Sequence, residues 1–246
     1  VGSPPLNQSQ TIFNCVESPR SDGSLRPSHP FLLITAVIGV LLASLAFFGS
    51  ARAATLTVDP NTCGSGNYCS IQAAINAAVD GDIIFLAPGS YTERLTIYKP
   101  LTLQGQSRAG VLINASSFAG YAIDAQGNHA FVFKSFTLDG PDSDASGNYG
   151  LKVAGENATV TIEDVSVIGT GRSGIDLNGL SGGTVRNVSS TGALKGVGIA
   201  LTDCSNVTLE NITTSGNAWG GVAIYTYGRY YTGGSDGISL IGMNSF

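Results

Sequence analysis

Gly150-Leu-Lys-Val, Gly174-Ile-Asp-Leu, Gly198-Ile-Ala-Leu and Gly221-Val-Ala-Ile decide how this chain folds. Their glycines are 24, 24 and 23 residues apart. Between them run Thr161-Ile-Glu-Asp-Val, Thr184-Val-Arg-Asn-Val and Thr208-Leu-Glu-Asn-Ile, spaced by 23 and 24 residues. Each is followed four residues later by a glycine: Gly169, Gly192 and Gly216. Phe131-Val-Phe-Lys-Ser-Phe-Thr-Leu-Asp-Gly140 fits the same pattern one repeat earlier. A constant period of this length marks a stacked repeat.

Each repeat holds two or three short runs of apolar and polar alternation, separated by Gly, Asn, Ser or Asp. Such runs are strands and the separators are turns. A strand of four or five residues cannot bury its apolar face alone. Stacked on its counterpart about 4.8 Å away it can, and its backbone groups pair above and below. Strands that run the same way in every coil make parallel sheets, and turns this short leave no room for crossover helices. The chain is therefore expected to be an all-β parallel β-helix, a solenoid.

Alternation assigns the faces. Leu151, Ile175, Ile199 and Val222 form one inward stack, and Val153, Leu177, Leu201 and Ile224 the next. On a second sheet Ile162, Val185 and Leu209 point inward, as do Val165, Val188 and Ile212. Asp164, Asn187 and Asn211 occupy the bend between these two rows, with the asparagines placed inside. The outward residues Lys134, Glu163, Arg186 and Glu210 then alternate in sign over four coils, although charge played no part in the alignment. Such cross-strand pairs contribute roughly 0.2–1 kcal/mol each.

Before the repeats, Ser70-Ile-Gln-Ala-Ala-Ile-Asn-Ala-Ala-Val79 reads as the one helix. Ser70 suits its N-cap, and Ile71, Ala74, Ile75 and Ala78 share a face. It is expected to cap the open end of the coil stack. Winding begins with Asp82-Ile-Ile-Phe-Leu, Leu95-Thr-Ile and Leu101-Thr-Leu.

Ser-Ile-Gln-Ala-Ala-Ile-Asn-Ala-Ala (70–78), Gly81-Asp82, Ala-Pro-Gly-Ser-Tyr-Thr-Glu (87–93) and Leu-Thr-Leu-Gln-Gly (101–105) together resemble the opening of pectin-lyase-like β-helix proteins. That superfamily includes pectinesterases, pectate lyases and surface or periplasmic proteins of the NosD type. The resemblance implies a right-handed parallel β-helix and traffic with polysaccharide, and it fixes no reaction. The Gly-x-Tyr-x-Glu element at Gly89 to Glu93 is shared with pectinesterases, where it shapes the coil. Their Gln-Asp-Thr and Asp-Phe-Ile-Phe-Gly motifs are absent here. So is the Asn-Thr-Asp, Asp-Asp, Gly-His-Gly and Arg-Ile-Lys set of polygalacturonases. No calcium-binding acid set of the pectate-lyase kind stands out.

The 246 residues carry a net charge of −5, 12% charged residues and 33 glycines. This composition suits β structure with tight turns. The acidic balance and the lack of any basic concentration argue against nucleic acid. Residues 1–30 read as a disordered leader. Phe31 to Phe48 carries no charge and is followed by Ala51-Arg52-Ala53. Residues 31–53 thus read as a secretory signal peptide cut after Ala53, or as a membrane anchor if uncut. A membrane partner follows only in the second case. Residues 54–246 are the β-helix domain, with a carboxyl end that reads as truncated after Gly237-Ile-Ser-Leu-Ile-Gly. The expected location is secreted, extracellular or cell surface. Cys63 and Cys69 in Cys-Gly-Ser-Gly-Asn-Tyr-Cys are expected to pair as a disulfide, leaving Cys204 a lone buried thiol.

Three groups of residues are candidates for function. Trp219, Tyr225, Tyr227, Tyr230 and Tyr231 gather around Arg229 where an insertion breaks the coil period. Aromatic faces stack on sugar rings, and phenols and a guanidinium bond hydroxyls or carboxylates. The alternative is that these rings pack on the solenoid flank. Asp139, Asp142 and Asp144 form an acidic turn that either chelates calcium, the one cofactor considered, or is simply solvated. Asp176, beside Lys152 in an adjacent coil, is a candidate member of a carboxylate pair of the glycosidase kind. Function is thus expected among three classes. One is a β-helix that binds or presents to polysaccharide. Another is a polysaccharide lyase, hydrolase or esterase. The last is a structural, adhesin-like solenoid.

Overall fold

The computed structural model describes residues 52–64, 66–143, 147–228, 234–242 and 244–245. The leader expected at 1–30 and the signal or anchor segment, apart from Arg52 and Ala53, lie outside the described residues. Among the described residues no helix is long and apolar enough to cross a membrane.

The first coils run β1 (Thr55–Val58), α1 (Ile71–Ala77), β2 (Ile83–Leu86), β3 (Gly89–Tyr91), β4 (Leu95–Ile97), β5 (Leu101–Gly105) and β6 (Val111–Asn114). The middle coils follow with β7 (Tyr121–Gln126), β8 (Ala130–Asp139), β9 (Tyr149–Ala154), β10 (Thr159–Thr170) and β11 (Ile175–Asn178). The last are β12 (Gly182–Ala193), β13 (Ile199–Thr202), β14 (Val207–Ser215), β15 (Val222–Tyr225) and β16 (Ser239–Ile241).

All pairings between these strands are parallel and join one coil to the next. A ten-stranded sheet stacks β1, β2, β5, β8, β10, β12, β14 and β16, with β3 and β6 joined at its side. A six-stranded sheet stacks β4, β7, β9, β11, β13 and β15. The chain forms the expected all-β parallel solenoid, and it winds through about seven turns.

The register agrees with the repeat. Leu151, Ile175, Ile199 and Val222 are Cα partners in sequence, as are Val153, Leu177, Leu201 and Ile224. Ile162, Val185 and Leu209 partner one another on the other sheet. All but Val222 and Ile224 are fully buried. Ile224, expected inside, is 49% exposed. The cause is its place on β15, the last strand of its sheet, so that solvent reaches it from one side.

The bend in each long strand is a single left-handed residue: Ser135, Asp164, Asn187 and Asn211, with φ between 52 and 55°. Short polar side chains tolerate this backbone best. At this bend Asn187 and Asn211 are exposed, which corrects the inside placement. Their amides nevertheless stack, with Asn211 Nδ2 donating to Asn187 Oδ1 at 3.1 Å. Outside the same wall Lys134 pairs with Glu163 at 3.3 Å, and Arg186 also pairs with Glu163. The Lys134 contact is the chief cause holding Glu163 below the usual carboxylate range.

α1 closes the open edge. Gln72 acts as a surrogate strand for β4: its Oε1 accepts from Thr96 N at 2.8 Å and its Nε2 donates to Thr96 O at 3.1 Å. Glu93 holds the start of the helix, accepting from Ile71 N, Gln72 N and Ser70 Oγ at 2.8–3.0 Å. A carboxylate there meets the unsatisfied N–H groups of a helix start. The Tyr91 hydroxyl lies 2.6 Å from Ala87 O and 3.1 Å from Val58 O. The Gly89–Glu93 element is thus structural, as the resemblance implied. The strands β1, β3, β6 and β7 were missed; β1 precedes the helix and forms the first rung. Cys63 and Cys69 are disulfide-bonded, and Cys204 is free and fully buried.

Candidate functional site: an aromatic cleft on the six-stranded sheet

The outward surface of the six-stranded sheet carries a cleft of about 870 Å³. Its lining comes from β7, β9, β11, β13 and β15, so it runs along the stacking direction for roughly 19 Å, four strand spacings. Tyr121 and Tyr149 close one end as a stacked pair with ring centroids 5.1 Å apart. Tyr225 and Tyr227, stacked at 5.9 Å, stand at the other end beside Trp219. Ala200, Asn178 and Thr202 form a sunken floor: they face outward yet are only 3–7% exposed.

Turns place the walls. Asn217 bridges coils, its Oδ1 accepting from Ala193 N and its Nδ2 donating to Ser190 O, both at 3.0 Å. Trp219 N then donates to Gly196 O at 2.9 Å, which leaves the indole 57% exposed at the rim. The buried Asp203 accepts from Tyr227 N at 2.7 Å and Gly228 N at 3.0 Å, pinning the segment after β15.

Two cations lie among the rings. The Arg172 guanidinium sits 4.6 Å from the Trp219 ring centroid and 6.0 Å from that of Tyr149. Lys152 Nζ lies 4.3 Å from the Tyr121 centroid and donates to its hydroxyl at 3.1 Å. Burial works against the Lys152 charge, but the Tyr121 hydroxyl, then Asp124 and Asp176, outweigh it and hold the ammonium above its ordinary range. Burial pushes the Asp176 carboxyl up despite the nearby Asn178, Lys152 and Arg172. It pushes the Tyr121 phenol up as well.

A raised carboxyl has a definite sign for stability. The folded state holds the Asp176 proton more tightly than the unfolded chain does. Its ionisation therefore costs the folded state nothing below the unfolded value of about 3.9, and the cost grows as pH rises through the folded value. Asp176→Asn is expected to melt higher than the parent at pH 7, and the gain is expected to vanish near pH 3. Melting curves at the two pH values check this; an equal gain at both would remove the electrostatic cause.

A family model described as "Right handed beta helix region" matches residues 96–241. This chain belongs to the right-handed β-helix family. A cell surface glycoprotein of Methanothermus fervidus is 34% identical over 95 residues, 38% of this chain and 15% of the glycoprotein. The match thus spans about a seventh of the length of that curated relative. The crystal structure of Escherichia coli ybhc aligns with 80% of this chain and 65% of its own, at TM-score 0.54 and 14% identity. A pectin methylesterase from Aspergillus niger aligns with 79% of this chain and 87% of its own, at TM-score 0.46 and 14% identity. At such identities the likeness to ybhc shows the fold alone, a right-handed parallel β-helix.

Of the residues expected to bind substrate, the β-helix brings Trp219, Tyr225 and Tyr227 into one cleft; Arg229, Tyr230 and Tyr231 lie outside the described residues. Asp176 and Lys152 line the same cleft. Arg172, Tyr121 and Tyr149 were missed. The two tyrosines had a legible signal, the parallel between Tyr121-Ala-Ile-Asp-Ala and Tyr149-Gly-Leu-Lys-Val. Arg172 had none, because it belongs to a turn outside the strand pattern. In the acidic turn, burial and then Asp142 push the Asp139 carboxyl up. Asp144 lies outside the described residues. Among those residues no group of three or more potential metal ligands converges.

Proposed function

We propose that this chain is an extracellular or cell-surface β-helix that binds polysaccharide along the outward face of its six-stranded sheet. The observation that carries this reading is the cleft itself, an elongated trough with stacked tyrosine pairs at both ends and a rim tryptophan. Sugar rings present apolar faces that stack on aromatics, and their hydroxyls need hydrogen-bonding partners such as Asn178, Thr202, Lys152 and Arg172. A trough roughly 19 Å long suits a chain of several sugar residues. The disulfide between Cys63 and Cys69 fits an oxidising, exported setting. The surface location of the related glycoprotein points the same way.

The test is affinity electrophoresis of the full chain in gels containing single polysaccharides, both uronans and neutral glycans. Retardation by at least one glycan class is expected. Trp219→Ala is expected to weaken that retardation about tenfold, since an exposed indole offers a large flat face for a sugar ring to stack on. Free migration in every gel would remove the binding reading.

A further inference from the structure

Five stretches of the chain match Asn-x-Ser/Thr with no proline in the middle: Asn114-Ala-Ser, Asn157-Ala-Thr, Asn187-Val-Ser, Asn206-Val-Thr and Asn211-Ile-Thr. This pattern is the acceptor for asparagine-linked sugar in exported proteins. A chain rich in Asn, Ser and Thr matches it readily, so the pattern alone selects no residue. The coils separate the five.

Attachment needs an amide nitrogen free to react, a hydroxyl within reach of the transferring enzyme, and room for a bulky group afterwards. Asn114 ends β6 half-buried, and its Oδ1 accepts from Ser116 N at 3.1 Å and Ser116 Oγ at 2.7 Å. That amide is folded back on the hydroxyl of its own motif. Asn187 and Asn211 are the left-handed bends of their coils, and Asn211 Nδ2 is engaged with Asn187 Oδ1. A sugar on Asn211 would break this contact, and one on Asn187 would crowd it. Asn206 is left-handed too. Its Nδ2 lies 3.5 Å from Ser181 O, and the turn before β16 adjoins it, with Asp236 O accepting its N–H at 3.1 Å.

Asn157 is unlike the other four. Ala158 N donates to Gly155 O at 3.1 Å, closing a turn between β9 and β10 with Glu156 and Asn157 at its corners. Both corner residues are exposed. Among the described residues the Asn157 side chain has no hydrogen-bond partner; its backbone N–H donates to Asn128 Oδ1 at 3.4 Å. Buried Ala158 anchors the middle of the motif, and Asn157 and Thr159 flank it at the surface. Thr159 starts β10, and its partners in the adjoining coils are Ala130 and Gly182. One methyl group and one absent side chain keep the ground beside it low. An open groove of about 410 Å³ lies there, running past Thr161 and Thr184 to Thr208.

We propose that Asn157 is an N-glycosylation site and that the other four motifs stay bare. The proposal rests on the exported setting argued above, and not on the aromatic cleft. The donor is an oligosaccharide carried on a polyprenyl pyrophosphate and delivered by an oligosaccharyltransferase. Asn157 Nδ2 bonds the anomeric carbon of the first sugar as the bond from that carbon to the phosphate oxygen breaks. The lipid pyrophosphate leaves with the bonding electrons, and the amide nitrogen loses one proton to a base of the enzyme.

The test is transfer in vitro onto the purified, folded full chain. It uses a single-subunit oligosaccharyltransferase with its lipid-linked oligosaccharide, and an acceptor peptide shows that the enzyme is active. Mass spectrometry reads each motif, and trypsin isolates Asn157 in the peptide 153–172. One glycan per chain is expected, on that peptide. Occupancy at Asn157 is expected to exceed any other motif about tenfold or more, since an amide already bonded must first release its partner. Asn157→Gln and Thr159→Ala are each expected to abolish the modification, Thr159→Ser to keep it, and all three to melt like the parent. An unmodified Asn157, equal occupancy at another motif, or a glycan that persists in Asn157→Gln overturns the proposal. Protease shaving of producing cells reads export separately: a chain protected inside the cell overturns the exported setting, even where transfer in vitro succeeds.

Discussion

Val185→Asp is expected to abolish the native state, while Thr184→Asp, one residue away in β12, leaves it intact. Val185 is fully buried, with Ile162 and Leu209 as its partners in the coils on either side. Removing a buried aliphatic side chain costs about 2–5 kcal/mol in larger cases, and burying a carboxylate without a partner adds several kcal/mol. The sum is on the order of the whole stability of a typical domain, 5–15 kcal/mol. Thr184 occupies the outward row with Thr161 and Thr208, where an aspartate costs about 1 kcal/mol or less through its poor strand preference. Urea titration followed by circular dichroism checks the contrast. Similar midpoints for the two variants would mean that the faces are assigned wrongly.

Gly150→Ala is expected to destabilise by about 3 kcal/mol or more, a large cost for one methyl group. A Cβ at Gly150 would stand 2.2 Å from the backbone oxygen of Gly174 and 2.7 Å from Val167 Cγ1. That oxygen cannot step aside, since it accepts the Leu151 N–H at 2.9 Å and so belongs to the ladder between coils. Gly182→Ala is the control: the nearest atom to its Cβ would be 3.8 Å away, and its stability is expected to change little. Equal melting temperatures for the two variants would refute the steric account.

The same contact explains why the repeat could be read at all. A Cβ at Gly174 would lie 3.0 Å from Gly198 O, and one at Gly198 would lie 2.8 Å from Gly221 O. Each glycine thus lies against the carbonyl of the next glycine in the series. The period of 24 is visible because a close approach recurs in every coil and excludes all larger residues. Gly169, Gly192 and Gly216 recur for a different reason, a left-handed backbone with φ of 56–76°.

The cleft was legible only in part. Trp219, Tyr225 and Tyr227 stood out because they interrupt the period. Tyr121 and Tyr149 did not, because the acidic turn widens their spacing to 28 residues and hides their alignment. The outward placement of Asn187 and Asn211 escaped alternation altogether, since a left-handed residue resets the phase of its strand.

The sequence by itself determined the parallel solenoid, its period, its inward rows and its disulfide. Each of these depends on repeated local constraints, whether an apolar face that must be covered, a glycine that must stay small or two cysteines in one short loop. Only the tertiary structure decided which turns rise beside which strands. It set Arg172 between Tyr149 and Trp219, and it put Asp124 and Asp176 two rungs apart with Lys152 turned aside. Turn conformation follows from loops of unequal length whose side chains obey no alternation, so their convergence appears only when the coils are stacked.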